Sequence, residues 1–433
     1  MGVLQLNSAG DPGVPASPLT MHGFVLPHAI PFLAHGFGGA NGLPLPRWLL
    51  AYGVGAGVIL GFIVLRVVLP RPPAPTLRTQ GSIPTPLLVV TRAIGLALFV
   101  GVVIAAAFGT NDPGANIAPV TVIVLFWLGF QVISAVFGDV FWLLSPFATI
   151  TRTVRRDAER TSPDPHWTAA ALLFAFVWFV FAYPEFYPPS PRNIAWFLAV
   201  YTVSVVAGAT LWGRDWVREG EGFSALFGLL GRRRERAPTS GTVALLSVYL
   251  GSIGFDAISQ TNWWISVLGT TRGWDERLLN TIGLTWIVIS VAIVYLASTR
   301  IAALLTRREP NEMAASFAPM LVPLGLAWSI AHYLRAFLAD LQSFIALLSD
   351  PLGRGWDLFG TINNPVNYRW FTPAQAGWIE TLVLLGGSLL SAYEVHRRAI
   401  TLLRGPAAVR AIYPLEVALV VAAVGGVALL LGT

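Results

Sequence analysis

Cysteine and lysine are both absent from the 433 residues, and only 12% of the chain is charged. Without cysteine there is no disulfide, no iron–sulfur cluster and no thiolate-bound zinc, so any metal must be held by imidazole and carboxylate. The scarcity of charge excludes more. A soluble domain carries about a quarter charged residues, so water is not the main solvent here. The net charge of +6 comes from arginine alone. These arginines sit in short loops and not in a continuous stripe interleaved with aromatics, which disfavours nucleic acid as a partner. A lysine-free chain rich in Ala, Gly, Pro and Arg also fits a GC-rich bacterial genome.

What fills the space left by charge is apolar: 55% of residues are hydrophobic and mean hydropathy is +0.65. The apolar stretches run to about twenty residues, the length that crosses roughly 30 Å of hydrocarbon. Backbone groups in lipid must be satisfied within their own segment, so the stretches are helices. Ten are predicted: Trp48–Leu69, Pro86–Phe108, Ala118–Phe137, Trp167–Tyr183, Ile194–Trp212, Thr242–Ile258, Thr281–Leu296, Phe317–Leu347, Gly377–Tyr393 and Tyr413–Leu431. The fold expected is an all-α polytopic membrane bundle over residues 47–433, preceded by a leader over residues 1–46. Trp48, Trp167, Trp212, Trp263, Trp264 and Trp378 fall at span ends as an anchoring belt.

Arginine orients the bundle. Twenty-one of the 28 arginines lie in or beside the first, third, fifth, seventh and ninth loops, six lie on the opposite side, and Arg335 lies within a span. By the positive-inside rule both termini face away from the cytoplasm, in a bacterial inner membrane. Three segments are irregular. Phe24–Phe37, broken by Pro27 and Pro31, reads as a re-entrant or interfacial piece or a poor signal sequence ending before His35. Phe137–Pro146 and Trp216–Arg236 read as interfacial helices, the latter with Phe223, Leu226, Phe227 and Leu230 as its apolar side.

Ionisable side chains in hydrocarbon are costly unless paired or hydrated, so they are where function is sought. Asp256 ends the sixth span, His332, Arg335 and Asp340 lie on the eighth, and Glu380 opens the ninth. His332 and Arg335, three apart, share a helix face, with Asp340 displaced around the axis. Arg335 is expected to pair with Asp256 or Asp340, either as a functional group or as an ion pair that holds helices together. His332 is a ligand or an acid–base group, or else only an interhelical hydrogen bond. If the amino-terminal segment folds back into the outer mouth, His35, with His28 or His22, reaches Asp256 and His332. That constellation would suit zinc, manganese or cobalt. No serine-hydrolase elbow, P-loop or dinucleotide fingerprint is present.

Several phrases occur in order: Ala34-His-Gly-Phe-Gly-Gly39, Leu43-Pro-Leu-Pro-Arg-Trp48, Ala115-Asn-Ile-Ala-Pro119, Phe137-Gly-Asp-Val140 with Ser145-Pro146, Gly251-Ser-Ile-Gly-Phe-Asp256, Ala331-His-Tyr333 and Ser349 through Gly360. In them the chain resembles the bacterial multi-pass membrane proteins called fenitrothion hydrolases, over residues 34–432. The resemblance implies hydrolysis of an apolar organophosphorus ester to a nitrophenol and a dialkyl thiophosphate. Such chemistry needs a hydroxide in line with the leaving group and a Lewis acid on the phosphoryl or thiophosphoryl group. The carboxylated lysine that bridges two metals in soluble phosphotriesterases is impossible without lysine, so a metal here would fall to His35, Asp256 and His332 with Asp340 or His28. Catalytic roles then go to Asp256, His332 and Arg335. The residues alone leave open a small-solute or metal-ion transporter with an Asp/Arg/His path, favoured by Pro319 and Pro323 in an overlong eighth span, and a structural subunit. The partners expected are lipid, an apolar small-molecule substrate, and a second membrane subunit or a further copy of the chain.

Overall fold

The computed structural model describes residues 45–69, 84–154, 162, 164–183, 188–232, 237–403 and 405–432. The helices are α1 (Arg47–Val68), α2 (Thr85–Phe108), α3 (Ile117–Phe137), α4 (Pro165–Phe181), α5 (Pro191–Trp212), α6 (Gly222–Leu230), α7 (Ser240–Ser259), α8 (Trp274–Thr306), α9 (Pro310–Leu347), α10 (Pro373–Leu402) and α11 (Pro406–Gly432). Among the described residues nine are long and apolar enough to cross a membrane. The tenth expected span, α4, has 17 residues, a rise of about 26 Å at 1.5 Å per residue. The protein is a multi-pass integral membrane protein whose apolar helices contact lipid. Residues 1–44, which hold His22, His28 and His35 of the expected leader, lie outside the described residues.

Helix starts follow local rules. Proline opens α4, α5 and α10, where its missing N–H costs nothing. Thr239 and Thr372 close capping boxes with Thr242 and Gln375, and Ser190 accepts from the Asn193 N–H. Helix α7 is the axis of the bundle: 89% of its membrane window is buried in protein, against 6% for the peripheral α2. Gly251 permits this, since a Cβ there would stand 2.6 Å from the Val288 Cα on α8. Helix α9 packs along α10 and also meets α7 and α3, while α11 lies against α1, α8 and α10. A salt bridge of 2.8 Å between Arg66 and Glu416 joins α1 to α11.

Two expectations are corrected. In the 216–236 segment, described as far as residue 232, the expected apolar side faces protein and not lipid: Phe223, Leu226, Phe227 and Leu230 are all at most 4% exposed. Helix α6 packs among α3, α4 and α9. Its N-cap carboxylate, Glu221, supplies what burial demands, accepting from Tyr201 Oη, the Phe223 and Ser224 N–H groups and Ser224 Oγ. In the 137–146 segment the chain reverses at Gly138 (φ 93°) and forms short helices, Val140–Leu144 and Pro146–Ile150. Phe141 is buried against Phe130 and Phe227 instead of facing lipid. Both errors share a cause: an amphipathic segment can bury its apolar side in protein as readily as in lipid, and its own sequence does not distinguish the two.

Proline does break α9, through a 3₁₀ turn at Ala318–Met320 around Pro319. A second irregularity was not foreseen. Ten residues of α3, Val120–Gly129, wind as a π-helix, a geometry usually confined to single turns.

Candidate functional site

Near the carboxyl end of α7, Asp256 faces His332 of α9. The Nε2–Oδ2 distance is 2.9 Å, and the side chains are 9% and 5% exposed. Gln260 Nε2 donates to the other carboxylate oxygen at 3.4 Å. An ionised carboxylate only accepts hydrogen bonds, so with Asp256 ionised the imidazole donates from Nε2. The imidazole stands edge-on to Tyr333, 4.6 Å between centroids. Two of the nominated residues are thus brought together in a protein-lined interior.

Arg335, one turn further along α9, meets a partner that the sequence did not nominate for it. Its Nε lies 3.2 Å from Glu380 Oε1 on α10, with side chains 33% and 6% exposed. The pairing follows from the close alignment of α9 with α10, which sets Glu380 opposite this turn. Glu380 is also within electrostatic reach of His332. The four groups form two linked pairs, Asp256–His332 and Glu380–Arg335.

Arg335 also lines a cleft of about 110 Å³ with Leu338, Ala339, Asn367, Tyr368, Trp370 and Phe371. The cleft lies toward the arginine-poor end of the bundle. Its wall is the segment between α9 and α10, clamped by Gln342, which donates to the Asn367 carbonyl and accepts from the Asn367 N–H. Asp350 anchors the same segment by accepting from the N–H groups of Arg354, Gly355 and Trp356. The segment docks on the α2–α3 connection through Thr110 N–H to Leu352 O (2.8 Å) and Ile117 N–H to Pro351 O (3.2 Å). Two of the sequence phrases noted above are therefore contact partners. Burial and the nearby Asp340 carboxylate push the Tyr368 phenol above its ordinary value.

Asp340 is buried at 3% exposure, but eight residues beyond His332 it stands about 12 Å further along the helix. It is within electrostatic reach of Tyr368 on the cleft wall and stands apart from the Asp256–His332 pair. Among the described residues no three His, Cys, Asp or Glu side chains gather as a metal-binding group. Asp256 and His332 provide two donors, one fewer than the three protein ligands of an open catalytic zinc site. The fourth nominated ligand, His35, lies outside the described residues.

A second buried polar group was not anticipated. Tyr249 of α7 donates to Gln131 Oε1 of α3 at 2.6 Å with the buried Ser329 of α9 beside it, while Gln131 Nε2 donates to the Trp127 carbonyl at 2.8 Å. A readable signal existed: Tyr249 and Asp256 are seven apart on α7, and Ser329 and His332 three apart on α9, so each pair shares a helix face. No protein-family model, no curated protein and no solved structure matches this chain.

Proposed function

We propose that this chain is a hydrolase of apolar organophosphorus esters in the bacterial inner membrane, with its catalytic groups in the half of the bilayer away from the cytoplasm. The observation that carries the reading is the 2.9 Å contact between Asp256 and His332, one helical turn from an arginine that lines an aromatic cleft. In this reading Asp256 holds the imidazole with Nδ1 free, and His332 takes a proton from water as its oxygen bonds to phosphorus. The phosphorus–oxygen bond to the aryl group breaks, the nitrophenolate departs with the electron pair, and a dialkyl (thio)phosphate remains. Arg335 compensates the negative charge that grows on the phosphoryl oxygen or sulfur, and Glu380 holds Arg335 in place.

The cleft is smaller than the roughly 300 Å³ usual for a drug-sized ligand. It therefore takes one part of the ester, the aromatic ring against Tyr368, Trp370 and Phe371, while the alkyl groups stay in lipid. An apolar triester partitions into the bilayer, so lateral entry suits this substrate class. A divalent metal, zinc, manganese or cobalt, joins the proposal only if His35 completes the donor set of Asp256 and His332. No step above depends on it.

The test is release of nitrophenolate from a nitrophenyl phosphotriester by the purified protein. Wild type is expected to turn over, and His332→Ala and Asp256→Asn to lose at least a hundredfold in kcat. Turnover unaffected by both substitutions, or none in the wild type, overturns the reading.

A further inference from the structure

Only 6% of the membrane window of α2 is buried in protein. Val89, Ala93, Leu96 and Val100, spaced at four, three and four residues, form one stripe of that helix, with Val89 and Val100 close to half exposed. Arg92 borders the stripe, three residues from Val89 and four from Leu96. It stands seven residues from the start of the helix, about 10 Å along it. Gly95, three residues on, lets α2 touch the short helix Val140–Leu144: a Cβ there would stand 1.7 Å from the Leu144 carbonyl oxygen. This close approach carries the Arg92 guanidinium over the Trp142 ring, 5.0 Å from its centroid. Arg218, in the segment that leads into α6, stands over the same ring at 5.2 Å. Arg152 is within electrostatic reach of Arg92 as well.

Three cations therefore meet at the arginine-rich end of the bundle, and among the described residues Arg92 forms no ion pair. Of its N–H donors one reaches a protein acceptor, the Ala148 carbonyl, at a long 3.5 Å. Its Nε is buried without one. Asp139 is the N-cap of the Val140–Leu144 helix and accepts from the Trp142 N–H. An arginine in an apolar span is costly unless an anion or water joins it, and like charges at short range repel until an anion offsets them. The planar fork of a guanidinium matches the oxygens of a phosphate. The stripe beside Arg92 faces hydrocarbon, so an anion that reaches it carries acyl chains. A basic pocket between helices at the arginine-rich end is the kind of place where an anionic headgroup is held.

We propose that Arg92 and Arg218, on either side of α2 and the Trp142 helix, bind the phosphodiester of an anionic phospholipid whose acyl chain runs along Ala93, Leu96 and Val100. The site lies at the opposite end of the bundle from the cleft and does not rest on the hydrolase reading. It is tested with the full-length protein in detergent micelles given equal amounts of phosphatidylglycerol and phosphatidylcholine, the lipid retained on folded protein being read by native mass spectrometry. Wild type is expected to retain phosphatidylglycerol over phosphatidylcholine by about tenfold. Arg92→Gln should lose most of that preference, and Arg218→Gln, which leaves α2 untouched, should lose part of it and gives the reading if the first variant does not fold. Arg300→Gln removes an exposed charge from the same end of α8 and should keep the preference. Inorganic phosphate in millimolar excess should leave the lipid bound. A wild-type preference below about threefold, or equal retention by the Arg92, Arg218 and Arg300 variants, overturns the site. Displacement by inorganic phosphate overturns it too, since the ligand would then be a soluble anion and not a lipid.

Discussion

Removing Arg335 should cost more than removing Glu380, although they are two halves of one salt bridge. Glu380 is only 6% exposed at its side chain, whereas Arg335 is 33% exposed and borders the cleft. In Arg335→Gln a carboxylate is left in the protein interior with its cation gone. Breaking a buried pair in this way costs about 3–5 kcal/mol, and screening through the cleft brings the figure to about 2–3 kcal/mol. In Glu380→Gln the guanidinium keeps a hydrogen-bond acceptor and can turn toward the cleft, so the loss should be about 1 kcal/mol. The double variant removes both charges and leaves two amides able to bond each other. It should be more stable than the sum of the single losses, with a coupling of about 1–1.5 kcal/mol, in the upper part of the range measured between transmembrane helices. Reversible unfolding in mixed micelles, followed by tryptophan fluorescence, gives all four values. Equal losses in the single variants, or a double variant whose loss equals their sum, would refute the claim that this contact ties α9 to α10.

Other consequences can be checked in parallel. Asp256→Asn keeps the volume but lets an amide donate to Nε2, which makes Nδ1 the protonated nitrogen; kcat for ester hydrolysis should fall by about 10²–10⁴-fold, with thermal stability nearly unchanged. Gly251→Val must displace the Val288 backbone on α8, and a loss of about 2–3 kcal/mol is expected; a stability within 0.5 kcal/mol of wild type, roughly the scatter of neutral surface changes, would contradict the close helix contact. Glu221→Ala strands the Tyr201 hydroxyl and two backbone N–H groups at the start of α6, each worth about 1–3 kcal/mol when buried unpaired, so folded yield should collapse while Glu221→Gln recovers part of it. Metal analysis of purified wild type and His35→Ala should show bound metal only if His35 completes the donor set; stoichiometric zinc, manganese or cobalt in the variant would place the ligands elsewhere.

Much of this protein was settled by the sequence alone. Transfer from water to lipid is a property of each segment by itself, summed over about twenty residues. Among the described residues nine long spans and the shorter α4 therefore cover the stretches that hydropathy selects, with starts set by Pro165, Pro191, Thr239 and Thr372, while α8 and α10 run past both expected ends. The same logic singled out Asp256, His332, Arg335, Asp340 and Glu380, because each is conspicuous in an apolar run. Which of them meet was decided only by the tertiary structure. Helix neighbours are chosen by close approach, as at Gly251 against Val288, and that choice set Glu380 beside Arg335. It also drew Phe223 and Phe227 into the core, where local amphipathicity reads equally well as a surface helix. A single span encodes its solvent, but a pair of charges encodes nothing until two helices are laid together.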